Sequence, residues 1–168
     1  DRGVKVVTAF GFSTENWNRT KEEVSYLMDI FRAALKNEIE TIAGEETRIQ
    51  FLGARDRLSE DIQTMMEESE KKTQDNTKFT LAIALSYGGR AEIVAAAEKW
   101  CSARGSKKAI TEKDFERYLS TADIPDPDII IRAGGEKRLS NFLPWQAVYS
   151  ELFFTDTLWP DFSKKEFE

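Results

Sequence analysis

Between Arg132 and Ser140 the chain reads RAGGEKRLS, so two guanidinium groups, a glutamate, two adjacent glycines and a hydroxyl follow directly on the apolar run Ile129–Ile131. Arg132 leaves the run, Gly134 and Gly135 allow a sharp turn with no Cβ in the way, and Arg138 brings back a second cation. Ser140 stands where it can cap a following helix. Guanidinium forks, exposed backbone N–H groups and a helix N-terminus are the combination that holds phosphate. The competing reading is a turn braced by surface salt bridges, for which the glycines suffice.

A second group lies near the start, in FSTENWNRTKEEV, residues 12 to 24. Ser13, Asn16 and Arg19 recur at three-residue intervals and can converge on one polar ligand; the spacing assigns them no capping role. Thr20 and Glu23 have the S/T-x-x-E spacing of a capping box, which gives Glu23 a structural reading first. Trp17 reads as a core anchor or as an exposed stacking surface. Carboxylates form a third group, with Glu151 opening ELFF and Asp156 and Asp161 following. Placed near the same strand ends, one of them can share a divalent cation with a bound diphosphate. Magnesium commonly takes only one or two protein carboxylates, so a lone glutamate is sufficient. A solvated strand-edge glutamate is the plainer alternative.

The elements that must carry these groups alternate. Apolar runs predict strands over 4–10, 48–53, 79–85, 128–133 and 151–156, and helical spacing predicts a long helix over 21–43 and others over 59–73 and 89–101. A short helix is expected from Thr111 to Leu119, and another over 140–150 interrupted at Pro144. This order favours an α/β fold with a central, mostly parallel sheet flanked by helices, in which ligands lie at the carboxyl ends of the strands. The 168 residues and 40% hydrophobic content suit one domain over 1–168. A β-branched run beginning three residues in leads us to expect a chain that starts inside its domain.

Charge and composition narrow the function. A net charge of −6 argues against general nucleic-acid binding, so any anion must be held locally. One cysteine and no histidine exclude an internal disulfide and the usual zinc sets, and a reducing cytoplasm is expected. No apolar run approaches the roughly 20 residues that span a bilayer.

FSTENWNR, SYGGRAEI, DPDIIIRAGGEKRLSNF and YSELFFTDTLWPDF occur in the order and approximate spacing of the cis-prenyltransferases, and the chain most resembles the bacterial undecaprenyl diphosphate synthases among them. The resemblance implies a transferase that condenses isopentenyl diphosphate with an allylic diphosphate, usually farnesyl diphosphate, through cis double bonds. Undecaprenyl diphosphate, the lipid-carrier precursor for cell-wall polysaccharide, is the implied product. The resemblance also implies that Arg132, Arg138 and Ser140 hold the diphosphate of isopentenyl diphosphate, with Glu136 at the same site and Glu151 taking part in Mg²⁺ binding. Ser13, Asn16 and Arg19 then position substrates and the departing proton, while Trp17 and Glu23 belong to a loop that closes over them. A homodimer is implied, with transient membrane-surface contact for product release from a cytoplasmic or peripheral enzyme.

Such chemistry needs no protein nucleophile: cations and donors stabilise the leaving diphosphate while alignment brings the carbons together. The hydrocarbon needs an apolar wall, for which Phe10, Phe12, Leu27, Phe31, Ile83 and Leu85 serve equally as candidates or as ordinary core. Gly11 leaves room beside it, which favours a long product. The departures are specific. The family's N-terminal loop with its aspartate has no counterpart here, Asp1, Arg2 and Gly3 do not match it, and the C-terminal tail is also lacking. Thr20 stands for a common proline and Ala133 for a frequent threonine. The 168 residues alone are therefore expected to be inactive. A non-catalytic accessory subunit and a short-chain synthase are the alternatives. A nucleotide-binding domain would need a glycine-rich turn after the first strand, and GFSTENW is not one.

Overall fold

The computed structural model describes residues 3–37, 39–104 and 109–167. Asp1 and Arg2, part of the comparison with the family's N-terminal loop, lie outside the described residues, as does Glu38 within the expected long helix. The strands are β1 (Val6–Ser13), β2 (Thr47–Leu52), β3 (Phe79–Tyr87), β4 (Ile129–Arg132) and β5 (Glu151–Phe154). All three pairings are parallel, and the strands form two ladders, β1-β3-β2 and β4-β5. The helices are α1 (Lys21–Asn37), α2 (Ile39–Gly44), α3 (Glu60–Thr73), α4 (Gly89–Arg104), α5 (Glu112–Glu116) and α6 (Lys164–Phe167). The parallel α/β architecture expected from the alternating pattern is present.

Burial explains how the elements assemble. Met28 and Leu35 from α1 and Ile62 and Met66 from α3 meet Phe12, Ile49, Phe51 and Leu85 in one apolar cluster, each less than a tenth exposed. Helix α3 also closes the outer edge of β2. The Ile49 N–H donates to Thr73 Oγ1 at 3.0 Å and the Phe51 N–H to Glu70 Oε1 at 2.8 Å, so alternate edge donors are satisfied by a helix and not by another strand.

Two irregularities interrupt the β1-β3 ladder. Phe10 faces Ala84, Phe12 faces Leu85 and Ser13 faces Tyr87, which leaves Gly11 and Ser86 without partners in register. Strict alternation would put Phe10 and Phe12 on one face. Instead Phe12 enters the α1-α3 cluster while Phe10 stacks on Phe142 at 4.7 Å.

Several boundaries differ from the sequence reading. The expected long helix is helical on both sides of Glu38, over α1 and α2, the fourth helix is the five-residue α5, and β1 runs on to Ser13. No helix begins at Ser140. Ser140, Asn141 and Leu143 have φ of 49°, 65° and 47°, which no α-helix tolerates, and Pro144 disfavours helical backbone at the residue before it. Regular structure resumes only in a 3₁₀ turn at Gln146–Tyr149.

Candidate active site

A cleft of about 800 Å³ lies between β1 and β4. Consecutive residues of both strands, Val7–Ser13 and Ile130–Ala133, line it, so backbone edges as well as side chains form its walls. Phe10, Ile130 and Phe142 make one part apolar, and Arg132, Arg138, Ser140, Ser13 and Asn16 make another part polar. Of the six apolar candidates, Phe10 and Phe12 line the cleft, while Leu27, Phe31, Ile83 and Leu85 belong to the α1-α3 core. Gly11 is on the wall, and a Cβ there would lie 3.1 Å from the Phe31 ring.

The loop after β4 is built around Arg132. Its Nη1 donates to the Arg138 carbonyl at 2.5 Å and to Ser140 Oγ at 2.6 Å, which folds the loop back over the strand end. Arg138 pairs with Glu136. The glycine N–H groups do not face an anion: Gly134 donates to the Thr157 carbonyl and Gly135 to the Thr155 carbonyl, both at 2.9 Å. The expected cradle of backbone N–H groups and a helix N-terminus is thus replaced by side-chain donors. Ser140 caps nothing, and its hydroxyl instead accepts from Arg132.

The loop after β1 is a 3₁₀ turn, Thr14–Asn18. Here Ser13 and Asn16 do have a capping role: the Asn16 N–H donates to Ser13 Oγ at 3.2 Å and the Ser13 N–H to Asn16 Oδ1 at 2.9 Å. The sequence pattern missed this because asparagine takes the place usual for glutamate. Glu23 forms the expected box with Thr20, its carboxylate accepting the Thr20 hydroxyl at 2.8 Å and N–H at 3.1 Å. Those two bonds, with the charge of Arg19, outweigh desolvation and hold the exposed carboxyl below its ordinary pKa. Trp17 is half-buried against Phe12, donates from Nε1 to Ser86 Oγ at 2.9 Å and carries Arg57 over its ring at 4.7 Å. Its core-anchor reading holds. Arg19, Trp17, Glu23 and Glu136 stand around the cleft loops but not on the cleft wall.

Glu151 lies elsewhere. It pairs with Ile129 at the start of β4 and β5, whereas Arg132 pairs with Phe154 at their far end, an offset of three residues or about 10 Å. The expectation that Glu151 shares a strand end with the arginines is therefore corrected. Besides Glu136, a carboxylate near the glycine turn is that of Asp156, whose Oδ1 is 3.3 Å from where a Gly135 Cβ would stand. Among the described residues no three Asp, Glu, Cys or His side chains are grouped as a metal cage. The donor set suits magnesium only in its diphosphate-dependent mode, with one protein carboxylate and the remaining oxygens from substrate and water. Glu151 fits that part chemically, since it is exposed and its carboxylate accepts no hydrogen bond among the described residues.

Two polar residues that the sequence reading passed over join the loops. Asn141 Nδ2 donates to Glu15 Oε1 at 2.8 Å, and Asn141 Oδ1 accepts the Arg90 N–H at 2.9 Å. An asparagine beside the candidate Ser140, in a stretch predicted helical, was the available signal. Desolvation works against the Glu15 carboxylate, but hydrogen bonds from Asn141, its own backbone, Ser13 and Thr14 together lower its pKa.

Comparison with known proteins adds an independent line. The family profile described as "Prenyltransf: Putative undecaprenyl diphosphate synthase" matches residues 1–168. An isoprenyl transferase of Thermotoga maritima is 48% identical over 167 residues, covering 98% of this chain and 72% of that protein. One from Fusobacterium nucleatum is 48% identical over 166 residues, covering 99% and 71%. Among solved structures, lavandulyl diphosphate synthase from Lavandula x intermedia, in complex with dimethylallyl diphosphate, superposes with a TM-score of 0.91 at 34% identity, covering 98% of this chain and 73% of that one. A structure described as "a probable undecaprenyl diphosphate synthase" from Campylobacter jejuni gives 0.89 at 32% identity, covering 97% and 77%.

Proposed function

Because the chain belongs to the undecaprenyl diphosphate synthase family of prenyltransferases, we propose that it condenses isopentenyl diphosphate with farnesyl diphosphate to build undecaprenyl diphosphate. The observation that carries the reading is the cleft itself. Its polar part holds Arg132, Arg138 and Ser140 and its apolar part holds Phe10, Ile130 and Phe142, as a diphosphate head and a hydrocarbon tail require.

In each cycle the allylic C–O bond breaks, the C=C bond of isopentenyl diphosphate supplies the electron pair for the new C–C bond, and a proton leaves from the neighbouring carbon. Diphosphate and a proton are released. Arg132, Arg138 and Ser140 bind the diphosphate of isopentenyl diphosphate and so fix the attacking carbon. Ser13, Asn16 and Arg19 help position the substrates and the departing proton, which passes to the released diphosphate. Trp17 and Glu23 hold the loop over the cleft, and Glu136 sets the Arg138 side chain. Preorganised donors of this kind stabilise charge that develops only during ionisation. Glu151, off the cleft wall and three residues from the arginine end, would hold Mg²⁺ only where diphosphate oxygens reach that end of the strands. When bound, that cation offsets the negative charge of the diphosphate.

We infer a homodimer, supported by the exposed apolar side chains of Leu152 and Phe153 in β5 and of Tyr149 in the turn before it. No helix among the described residues is long and apolar enough to cross a membrane, and contact with the inner membrane face for product release is taken as transient. Incubation of the full-length protein with farnesyl diphosphate, labelled isopentenyl diphosphate and Mg²⁺ tests the reading. Products of eleven isoprene units are expected. Failure to incorporate label would refute the activity, and a single addition would indicate a short-chain synthase.

A further inference from the structure

The two loops of the cleft spring from separate ladders, β1-β3-β2 and β4-β5, so strand pairing does not set one against the other. Asn141, in the loop after β4, bridges them with its Nδ2 and ties its own loop to α4 with two further polar groups. Its Nδ2 donates to Glu15 in the loop after β1, its Oδ1 accepts the Arg90 N–H, and its carbonyl accepts the Gly89 N–H at 2.8 Å, both at the start of α4. The packing around it is close. A Cβ on Gly88 would come within 2.3 Å of Thr14 Oγ1 and 2.8 Å of Asn141 Nδ2. Asparagine is also the residue suited to a φ of 65°, since its short side chain can bond locally in the left-handed region.

We propose that Asn141 is a positioning residue for prenyl transfer: it locks the loop bearing Ser13 and Asn16 to the loop bearing Arg138 and Ser140, using the N-terminus of α4 as the fixed point. The inference rests on the proposed reaction for its kinetic consequence and on geometry alone for its structural one. Ser140 directly precedes Asn141, so a shift of Asn141 moves the Ser140 hydroxyl and with it the Arg132 contact. Displacements near 1 Å are enough to slow a reaction on the order of 100-fold.

Asn141→Asp separates this role from general folding. Aspartate keeps an oxygen for the Arg90 N–H and tolerates the same backbone, but it turns the amide facing Glu15 into a second carboxylate. Adding Glu15→Gln to that variant restores a donor–acceptor pair with its direction reversed. In the full-length protein, N141D is expected to raise KM for isopentenyl diphosphate on the order of 10-fold. Amide hydrogen exchange of residues 13–19 should also quicken while that of Arg90 stays slow. The E15Q/N141D double variant should return both readouts most of the way towards the parent. A parental KM together with unchanged exchange in N141D, or a double variant no better than N141D, would overturn the proposal. Exchange decides the structural claim without turnover, so an inactive parent would count against the prenyl-transfer reading alone.

Discussion

Gly89 lets the start of α4 approach the loop that carries Ser140, and replacing it by alanine measures how closely that loop must be held. A Cβ at this position would stand 2.0 Å from Pro144 Cδ, 2.3 Å from Pro144 Cγ and 3.2 Å from the Asn141 carbonyl. Carbon atoms in contact need about 3.5 Å or more, so the ring must retreat by roughly 1.5 Å. A proline ring cannot swing aside as a flexible side chain would, so residues 141–144 move as a unit. Overpacking of this kind costs about 1–3 kcal/mol. Alanine offsets up to about 1 kcal/mol of that through its better helix propensity. The net loss of about 0–3 kcal/mol lowers Tm by no more than ~12 °C for a chain of this size. The effect on function is expected to be larger, because displacement of Asn141 carries Ser140 and the Arg132 contact with it: KM for isopentenyl diphosphate should rise at least about tenfold. Thermal unfolding and steady-state kinetics on the same preparation separate the two. Parental kinetics in a Gly89→Ala protein, whatever its Tm, would refute the claim that this approach positions the diphosphate loop.

Arg138→Ala removes one charged donor from an exposed part of the cleft, worth about 1.5 kcal/mol after solvent screening, so KM for isopentenyl diphosphate should rise about tenfold; an unchanged KM and turnover would exclude the residue from binding. Glu151→Ala should raise the Mg²⁺ concentration needed for half-maximal condensation by about tenfold, and a magnesium titration superimposable on the parent's would remove Glu151 from the metal site. The hydrogen bond from Arg32, reinforced by Ser59, holds the Asp61 carboxyl at about 2, below its ordinary 3.8. Since the folded value is the lower one, the stabilisation is complete above about pH 4 and is lost as pH falls through about 2. The gap in urea midpoint between parent and Asp61→Asn should shrink over that interval, and a constant gap would show that the Arg32–Asp61 pair does not couple α1 to α3.

The strands and long helices were legible because their apolar spacing coincides with their burial. Met28 and Leu35 in α1 and Ile62 and Met66 in α3 are core residues at the positions that helical periodicity selects. The residues around the cleft were legible by type, and Ser13, Asn16, Arg132, Arg138 and Ser140 do line the same cleft. Their partners were not. Whether the Gly134 and Gly135 N–H groups meet an anion or the carbonyls of Thr157 and Thr155 depends on the segment after β5, some twenty residues later. Glu151 misled for a related reason: distance along a sequence does not reveal which end of a strand pair a residue occupies. Asn141 was hidden because its three bonds reach two segments far away in the chain.

The unpaired Gly11 and Ser86 carry a consequence for how this sequence can vary. Each adds one residue to its own strand, and their effects cancel: the offset between partners is the same at Phe10–Ala84 as at Ser13–Tyr87. Loss of either residue alone would leave a net slip, turning the strand residues on one side of the defect to the opposite face. Loss of both would keep the ladder in phase at its two ends and leave Phe12, then directly following Phe10, on the opposite face by plain alternation. Insertions and deletions in these two segments, some seventy positions apart, should therefore be inherited together, so that the length of the first strand predicts the length of the third across the lineage.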